Sequence, residues 1–447
     1  MRGIACLIAM GSIAAAPVKA LDLEQAWTLL QQQGPRYQAA IHERNAGEEH
    51  RAIGRAGLLP SVSLSAYHNE NRGTLKQPDV SGQLVSSDLD YSSQAATLQL
   101  RQPLFNKQKM AEFRQGDHRA EQSGAVFDAR HQEAAVQLAE RYFDVLLAHE
   151  TIGLAEAKLN AFQQQHDEAQ RRFELGDGTV IDVDQAIARQ DLAEAELIEA
   201  QDRMMVAQQL LQELLGEPLQ QLAILNDDFH TSGLQSDALD VWLDKVLSAN
   251  PVILSRRLES AVANEEINLA RSGHWPTLDL VMGYTANESD SVTSREQRQE
   301  YGWLGVEFRM QLYSGGLSSA QVRQAAAGYE QSYHTLRATQ EEMRTIATRE
   351  FRRVQSNEAR LKALEKAVLS SERAVLSSRR GFMSGTSTNL DILNAEEQVF
   401  IAKRDLLEAK VGYLLSRLRL NAVAGEVGVD DIRQLNAYLG PVTSVRS

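Results

Sequence analysis

The chain has 447 residues, with 60 acidic against 46 basic side chains and a formal net charge of −14, so a nucleic-acid partner is excluded. Its one cysteine, Cys6, lies in the first twenty residues; downstream of these, disulfides, zinc–thiolate sites and cysteine nucleophiles are excluded. No later run of eighteen apolar residues occurs, so no membrane-spanning helix is predicted.

Residues 1–20 read as a secretory signal peptide. Arg2 is followed by an apolar run from Gly3 to Ala16, and Val18 and Ala20 flank Lys19 as the small residues a signal peptidase needs. The mature chain is expected to start at Leu21. Cys6 is a poor lipid acceptor, because Gly3, Ile4 and Ala5 leave almost no apolar stretch before it.

A helix then runs to Leu59-Pro60. After it Val62, Leu64 and Ala66 alternate with Ser61, Ser63, Ser65 and Tyr67, and further on Leu98 and Leu100 alternate with Thr97, Gln99 and Arg101. Period two with one greasy and one polar face predicts two strands, and the polar stretch Glu70 to Ser93 is expected as the loop between them. From Lys107 to Leu175 no proline or turn cluster interrupts the chain, which predicts a helix of roughly 100 Å at 1.5 Å per residue. A tip at Gly176, Gly178, Thr179 and Asp182 follows. Beyond it Val183, Ala186, Gln190, Ala193, Leu197, Ala200, Met204, Ala207, Leu211 and Leu214 form a heptad seam rich in alanine.

The same order then returns. Leu23, Gly34-Pro35 and Leu59-Pro60 recur 216 residues on as Leu239, Asn250-Pro251 and Trp275-Pro276. Leu278, Leu280, Met282 and Tyr284 alternate with Thr277, Asp279, Val281 and Gly283, and Leu304, Val306, Phe308 and Met310 with Gly305, Glu307, Arg309 and Gln311; Asn287 to Glu300 is the second expected loop. Phe173-x-x-Gly176-x-x-Thr179-x-x-Asp182 recurs 209 residues on as Phe382-x-x-Gly385-x-x-Thr388-x-x-Asp391, followed by a seam from Ile392 to Val423. The helices entering the tips carry sparser stripes, Leu138, Val145, Ile152 and Leu159, then Val354, Leu361, Val368, Val375 and Phe382. The chain therefore reads as a tandem duplication: residues 21–230, residues 231–430, and a tail at 431–447, each half ending in a helical hairpin.

Four strands leave two open edges, whereas barrels in a bilayer need about eight strands or more. The helices bury their stripes in each other, so the greasy strand faces have no core of their own. A lipid-facing exterior and a wet lumen lined by Arg101, Asp279, Glu307 and Arg309 are expected, closed by oligomerisation. Tyr67, Tyr91, Tyr284, Tyr301, Trp303 and Tyr313 are candidates for interfacial girdles.

This order resembles the TolC-like outer-membrane factors of type I protein secretion and multidrug efflux. The resemblance spans nearly the whole mature chain. It rests on the duplication, the Leu59-Pro60 entry with its echo Trp275-Pro276, Gln102-Pro103-Leu104-Phe105, and the two Gly-x-x-Thr-x-x-Asp tips with Val183 and Ala186 or Ile392 and Ala395 behind them. It implies a homotrimer in the outer membrane: a twelve-stranded barrel continued by a twelve-helix periplasmic tunnel, whose tip an adaptor and an inner-membrane ABC or other pump engage and open. It also implies an acidic, cation-selective constriction at Asp391 and, one turn on, Asn394. The second position departs from the family's commoner carboxylate, which leaves a single ring of Asp391 side chains.

Plainer readings stand beside these. Thr179 with Asp182, and Thr388 with Asp391, are capping boxes, and for Asp182 capping is the whole expectation. Gly176, Gly178 and Gly385 let the chain reverse, and Gly315-Gly316 reads as a hinge where strand passes into helix. Glu194, Glu196, Arg352 and Arg353 read as a solvated face, and His42, His50, His118, His131 and His149 as surface residues. No zinc-protease, phosphate-loop or serine-hydrolase motif is present, so the chain is expected to be no enzyme and to need no metal or cofactor. Within an export role, protein secretion is favoured over a multidrug or metal efflux duct of the same fold; a soluble periplasmic coiled-coil scaffold is the alternative of another class.

Overall fold

The computed structural model describes residues 21–219, 221–226, 229–231, 233–234, 238–289 and 297–440; the expected signal peptide and Cys6 lie outside them. In chain order the elements are α1 (Leu23–Gln33), α2 (Pro35–Ala56), β1 (Ser61–Pro78), β2 (Leu84–Phe105), α3 (Lys107–Leu175), α4 (Val180–Leu215), β3 (Ile224–Leu225), α5 (Leu239–Ala249), α6 (Pro251–Ser272), β4 (Thr277–Ser289), β5 (Gln297–Arg309), α7 (Leu317–Met383), α8 (Asn389–Ala424), α9 (Val429–Asn436) and β6 (Leu439–Gly440). The fold is mostly helical with a smaller share of sheet. α1 and α5 have 11 residues each, α2 and α6 have 22, and α4 and α8 have 36. α9 and β6 fall in or beside the stretch expected as a tail. No helix among the described residues is long and apolar enough to cross a membrane.

The chain forms two compact units, each drawing on both halves of the sequence. One holds residues 43–126 and 252–339. Its centre is an antiparallel sheet in the order β1-β2-β4-β5. Beside it α2 and α3 approach closely through small residues: a Cβ on Gly116 would stand 2.4 Å from the His50 carbonyl oxygen, and one on Gly47 would meet Ser123 at 2.3 Å. Arg114 of α3 donates to Glu265 of α6 at 2.9 Å, and Gln115 to Glu266 at 2.7 Å.

The stretches Glu70 to Ser93 and Asn287 to Glu300, expected as loops, need correction. β1 and β2 stay paired out to Pro78 opposite Leu84, β4 continues to Ser289, and β5 begins at Gln297. Only a tight turn remains at the first tip, where the Asp79 carboxylate accepts from the Ser81 amide at 2.8 Å and the Gln83 amide at 3.1 Å, and Gly82 takes φ +80°. Polar residues on both faces hide a strand from a search for alternating apolar residues, although the ladder hydrogen bonds need no apolar side chain.

The other unit holds residues up to 42, 127–251 and from 340 on. In it α3 and α4 run antiparallel: Ala169 packs with Val183 and Ala186, His166 bonds Gln190, Phe162 packs with Ala193, and Lys158 reaches Glu196. α7 and α8 do likewise, with Arg379 on Glu396, Lys403 on Glu372, and Asn357 on the Gly412 carbonyl. The predicted seams are the packed faces. Val183, Ala186, Ala193, Ala200, Ala207, Leu211 and Leu214 are buried, as are Ile392, Val399, Ala402, Ala409, Tyr413, Ser416 and Leu420.

Tyr142, fully buried, donates its hydroxyl to the Leu21 carbonyl at 2.9 Å and the Ala223 carbonyl at 3.3 Å. His131 corrects the surface reading. It is half-buried against Trp27 and bonds the Tyr37 hydroxyl at 2.8 Å, and desolvation holds its pKa below the ordinary histidine value. The unfolded chain therefore takes up that proton first, and the contribution of this contact is present above the ordinary histidine pKa and lost as pH falls through the lowered one. Tyr142→Phe leaves the buried Ala223 carbonyl without this donor, while the Leu21 carbonyl keeps the Ala223 amide at 3.2 Å, and is expected to cost about 1 kcal/mol, measured as a lower midpoint in thermal unfolding of the detergent-solubilised protein.

Candidate functional site

Two groups of predicted residues are brought together, one in each unit, and each is described by itself. In the sheet, register fixes the faces. Ser61 lies opposite Arg101, Arg101 opposite Val281, and Thr277 opposite Arg309, so odd-numbered residues share one face and even-numbered ones the other. The even face is apolar and open over all four strands: Val62 and Leu64, Leu98, Met282, and Leu304, Val306 and Phe308 are exposed, Leu64 at 73 % and Leu304 at 69 %. An apolar surface this continuous marks contact with something other than water.

The odd face carries the ion-pair chain that sequence reasoning singled out. Arg101 of β2 reaches Asp279 of β4 at 2.7 Å and Glu307 of β5 at 2.9 Å, and Arg309 closes on Glu307. These four side chains link three strands into one charge-balanced ladder. Four of the six girdle aromatics need correction. Tyr67, Tyr91, Tyr301 and Trp303 have the parity of the polar face, Trp303 lying over Gly283; Tyr313 follows the strand and is 86 % exposed. Only Tyr284 shares the apolar face, because strand parity, not composition, decides where an aromatic points.

At the helical tips both capping boxes form. The Asp182 carboxylate accepts from the Thr179 amide at 3.2 Å and hydroxyl at 2.7 Å, and the Asp391 carboxylate accepts from the Thr388 amide and hydroxyl, both at 2.8 Å. Gly176 at φ +81° and Gly385 at φ +75° reverse the chain in the left-handed region, which a side chain would strain. Asp391 stays exposed, and the hydrogen bonds from Thr388 hold its pKa below the ordinary aspartate value.

Further along the hairpins lies a network that sequence reasoning missed. Lys158 of α3, nearly buried, places Nζ 2.7 Å from Glu196 of α4 and 2.7 Å from Glu397 of α8. Arg189 of α4 lies 3.4 Å from Glu397 and donates to Asn394 Oδ1 at 3.0 Å. Asn394, predicted to join Asp391, is thus engaged by a cation on the neighbouring helix. Glu396, buried, takes Arg379 at 2.6 Å. Glu196 is therefore no mere solvated charge, nor is Arg353, which lies 3.2 Å from the buried carboxylate of Glu350. Among the described residues no group of His, Cys, Asp or Glu is placed to hold a metal ion.

Sequence and structure comparisons follow this geometry. The model of the family described as "Outer membrane efflux protein" matches residues 28–217 and 242–426. The alkaline protease secretion protein AprF of Pseudomonas aeruginosa is 33% identical over 420 residues, covering 94% of this chain and 87% of the relative. The proteases secretion protein PrtF of Dickeya chrysanthemi is 32% identical over 96% of this chain and 93% of its own length. Among solved structures, the Campylobacter jejuni CmeC outer membrane channel superposes with a TM-score of 0.77 at 15% identity, over 94% of this chain and 90% of that one.

Two tests follow. Thr388→Ala removes the cap and is expected to cost about 1 kcal/mol in the second hairpin, read by amide exchange at the start of α8. A folded-state pKa below the ordinary value means that the cap is present above the usual aspartate range and lost as pH falls through the lowered pKa; the wild-type tip is therefore expected to loosen only below about pH 4. Lys158→Met removes the cation that Glu196 and Glu397 share, while Glu397 keeps Arg189 at 3.4 Å and Glu196 stays solvated. It is expected to destabilise the unit by about 1 kcal/mol, with faster amide exchange along α4 and α8.

Proposed function

The chain belongs to the outer membrane efflux protein family, and we propose that it is the outer-membrane channel-tunnel subunit of a type I protein secretion system, working as a homotrimer with a periplasmic adaptor and an inner-membrane pump. It is an outer-membrane transport protein, which sets aside the soluble periplasmic scaffold. One observation carries the secretion reading: near-full-length likeness to proteins named for secreting proteases, at 33% and 32% identity.

The physical argument for the trimer is edge closure. β1 and β5 each pair on one side only among the described residues. In lipid an open edge leaves amides and carbonyls without partners, at several kcal/mol each. Three copies of a four-stranded sheet close a ring of twelve strands. The even face then meets lipid, and the ladder of Arg101, Asp279, Glu307 and Arg309 lines a wet lumen. In the same reading the two hairpins of each copy build the tunnel wall. The exposed Asp391 side chains ring its narrow end and favour cations, while Asn394, held by Arg189, adds no charge to the ring.

Deleting the gene separates the readings: loss of a secreted polypeptide with unchanged tolerance of toxic small molecules is expected, whereas sensitivity with an unchanged secretome makes the protein an efflux duct. In planar bilayers Asp391→Asn is expected to lower the cation-to-anion permeability ratio by roughly half, and Asp182→Asn to leave it unchanged. Equal effects at both tips would reduce Asp391 to a helix cap.

A further inference from the structure

Past the four-stranded part of the sheet the β1–β2 hairpin continues as a two-stranded ribbon among the described residues. Among the described residues, pairing of β2 with β4 reaches Ser93 opposite Ser289, and β1 and β2 remain paired for nine more rows, from Glu70 with Ser92 to Pro78 with Leu84. The apolar character changes face there. Lower down the even residues are greasy, Val62 and Leu64 among them; in the ribbon the even residues include Glu70, Arg72, Lys76, Asp88 and Asp90, with Arg72 paired to Glu70 at 3.5 Å and Asp90 at 3.6 Å. The odd face of the ribbon carries Leu75, Val85, Leu89 and Tyr91 and no Asp, Glu, Lys, Arg or His between Asn69 and Gln77 or between Val85 and Ser93. Leu75, Leu89 and Tyr91 are half-buried, while Glu70, Arg72 and Asp90 are exposed.

This odd face continues the polar face of the sheet, which the proposed trimer turns toward the pore axis; the inference rests on that reading. We propose that three copies of the ribbon meet through Leu75, Leu89 and Tyr91 and form an apolar plug across the outer mouth of the channel. Two observations select a second copy of this chain as the occupant. Contact between identical faces is free of like-charge repulsion only where the face is uncharged, and the odd face is uncharged while the even face is not. Gly73, opposite Leu89, has nothing within 4 Å of where its Cβ would stand, which leaves room for a neighbour's side chain beside Leu89. A lone two-stranded ribbon is marginal in water, and further strands against its apolar face supply what it lacks.

The test uses the full-length protein purified in detergent, with one cysteine placed on each face, Leu89→Cys or Asp90→Cys, and Tyr91→Cys as a second inward position. Native mass is measured for each. After oxidation or a short thiol cross-linker, covalent dimers are expected for Leu89→Cys and Tyr91→Cys, and none for Asp90→Cys or the wild type. Leu75→Asp with Leu89→Asp is expected to raise single-channel conductance about two-fold by wetting the plug. A trimer in which neither inward cysteine cross-links, or in which Asp90→Cys cross-links equally, overturns the plug and leaves the proposed function standing. A native mass other than a trimer overturns both.

Discussion

Everything in the sheet follows from the backbone's need for hydrogen-bond partners. A strand that faces lipid on one side cannot borrow water for its amides, so each must be paired along both edges. Among the described residues of one copy, β2 and β4 have a neighbouring strand on both sides and β1 and β5 on one. The alternation of greasy and polar residues is the visible part of this constraint; the edges of β1 and β5, open among the described residues, are the part that the proposed trimer answers. The ladder of Arg101, Asp279, Glu307 and Arg309 adds side-chain links among strands that the backbone already holds.

The helical part obeys a different rule. α4 carries alanine at Ala186, Ala193, Ala200 and Ala207, half of its buried positions, so neighbouring helices approach it closely and the area buried per contact is small there. Polar ties then fix which helix faces which. Lys158 joins α3 to α4 and α8, and Arg189 of α4 reaches the same Glu397 of α8. A buried ion pair adds little net stability but punishes the wrong arrangement, since any slip leaves a charge without its partner. Close alanine packing with a few such ties favours helices that hold a register yet can exchange it when the ties are broken.

Much of this was legible in the sequence because it is periodic. The seams from Val183 to Leu214 and from Ile392 to Leu420 announce themselves by spacing, and the capping boxes at Thr179 and Thr388 lie within four residues. Strand parity identified Arg101, Asp279, Glu307 and Arg309 as one polar face. What could not be read was anything depending on distant partners or lacking a pattern. Lys158 finds Glu196 and Glu397 at separations of 38 and 239 residues, and one lysine on a long helix gives no sign of either. His131 looked like a surface residue because Tyr37 and Trp27 lie on elements from another part of the chain. The ribbon beyond Glu70 was missed because both its faces lack the regular alternation that marks the strands below.

The strand order carries a consequence for the time course of assembly. The central seam of the sheet joins β2 to β4, and Arg101 meets an Asp279 that lies 178 residues further along the chain. The first hairpin must therefore wait, with an adhesive edge exposed, until both long helices of the first half and two more helices have crossed into the periplasm. Contacts of such separation form slowly, and an open edge in the interval is an invitation to the wrong neighbour. A newly exported chain of this design depends on being chaperoned through that delay.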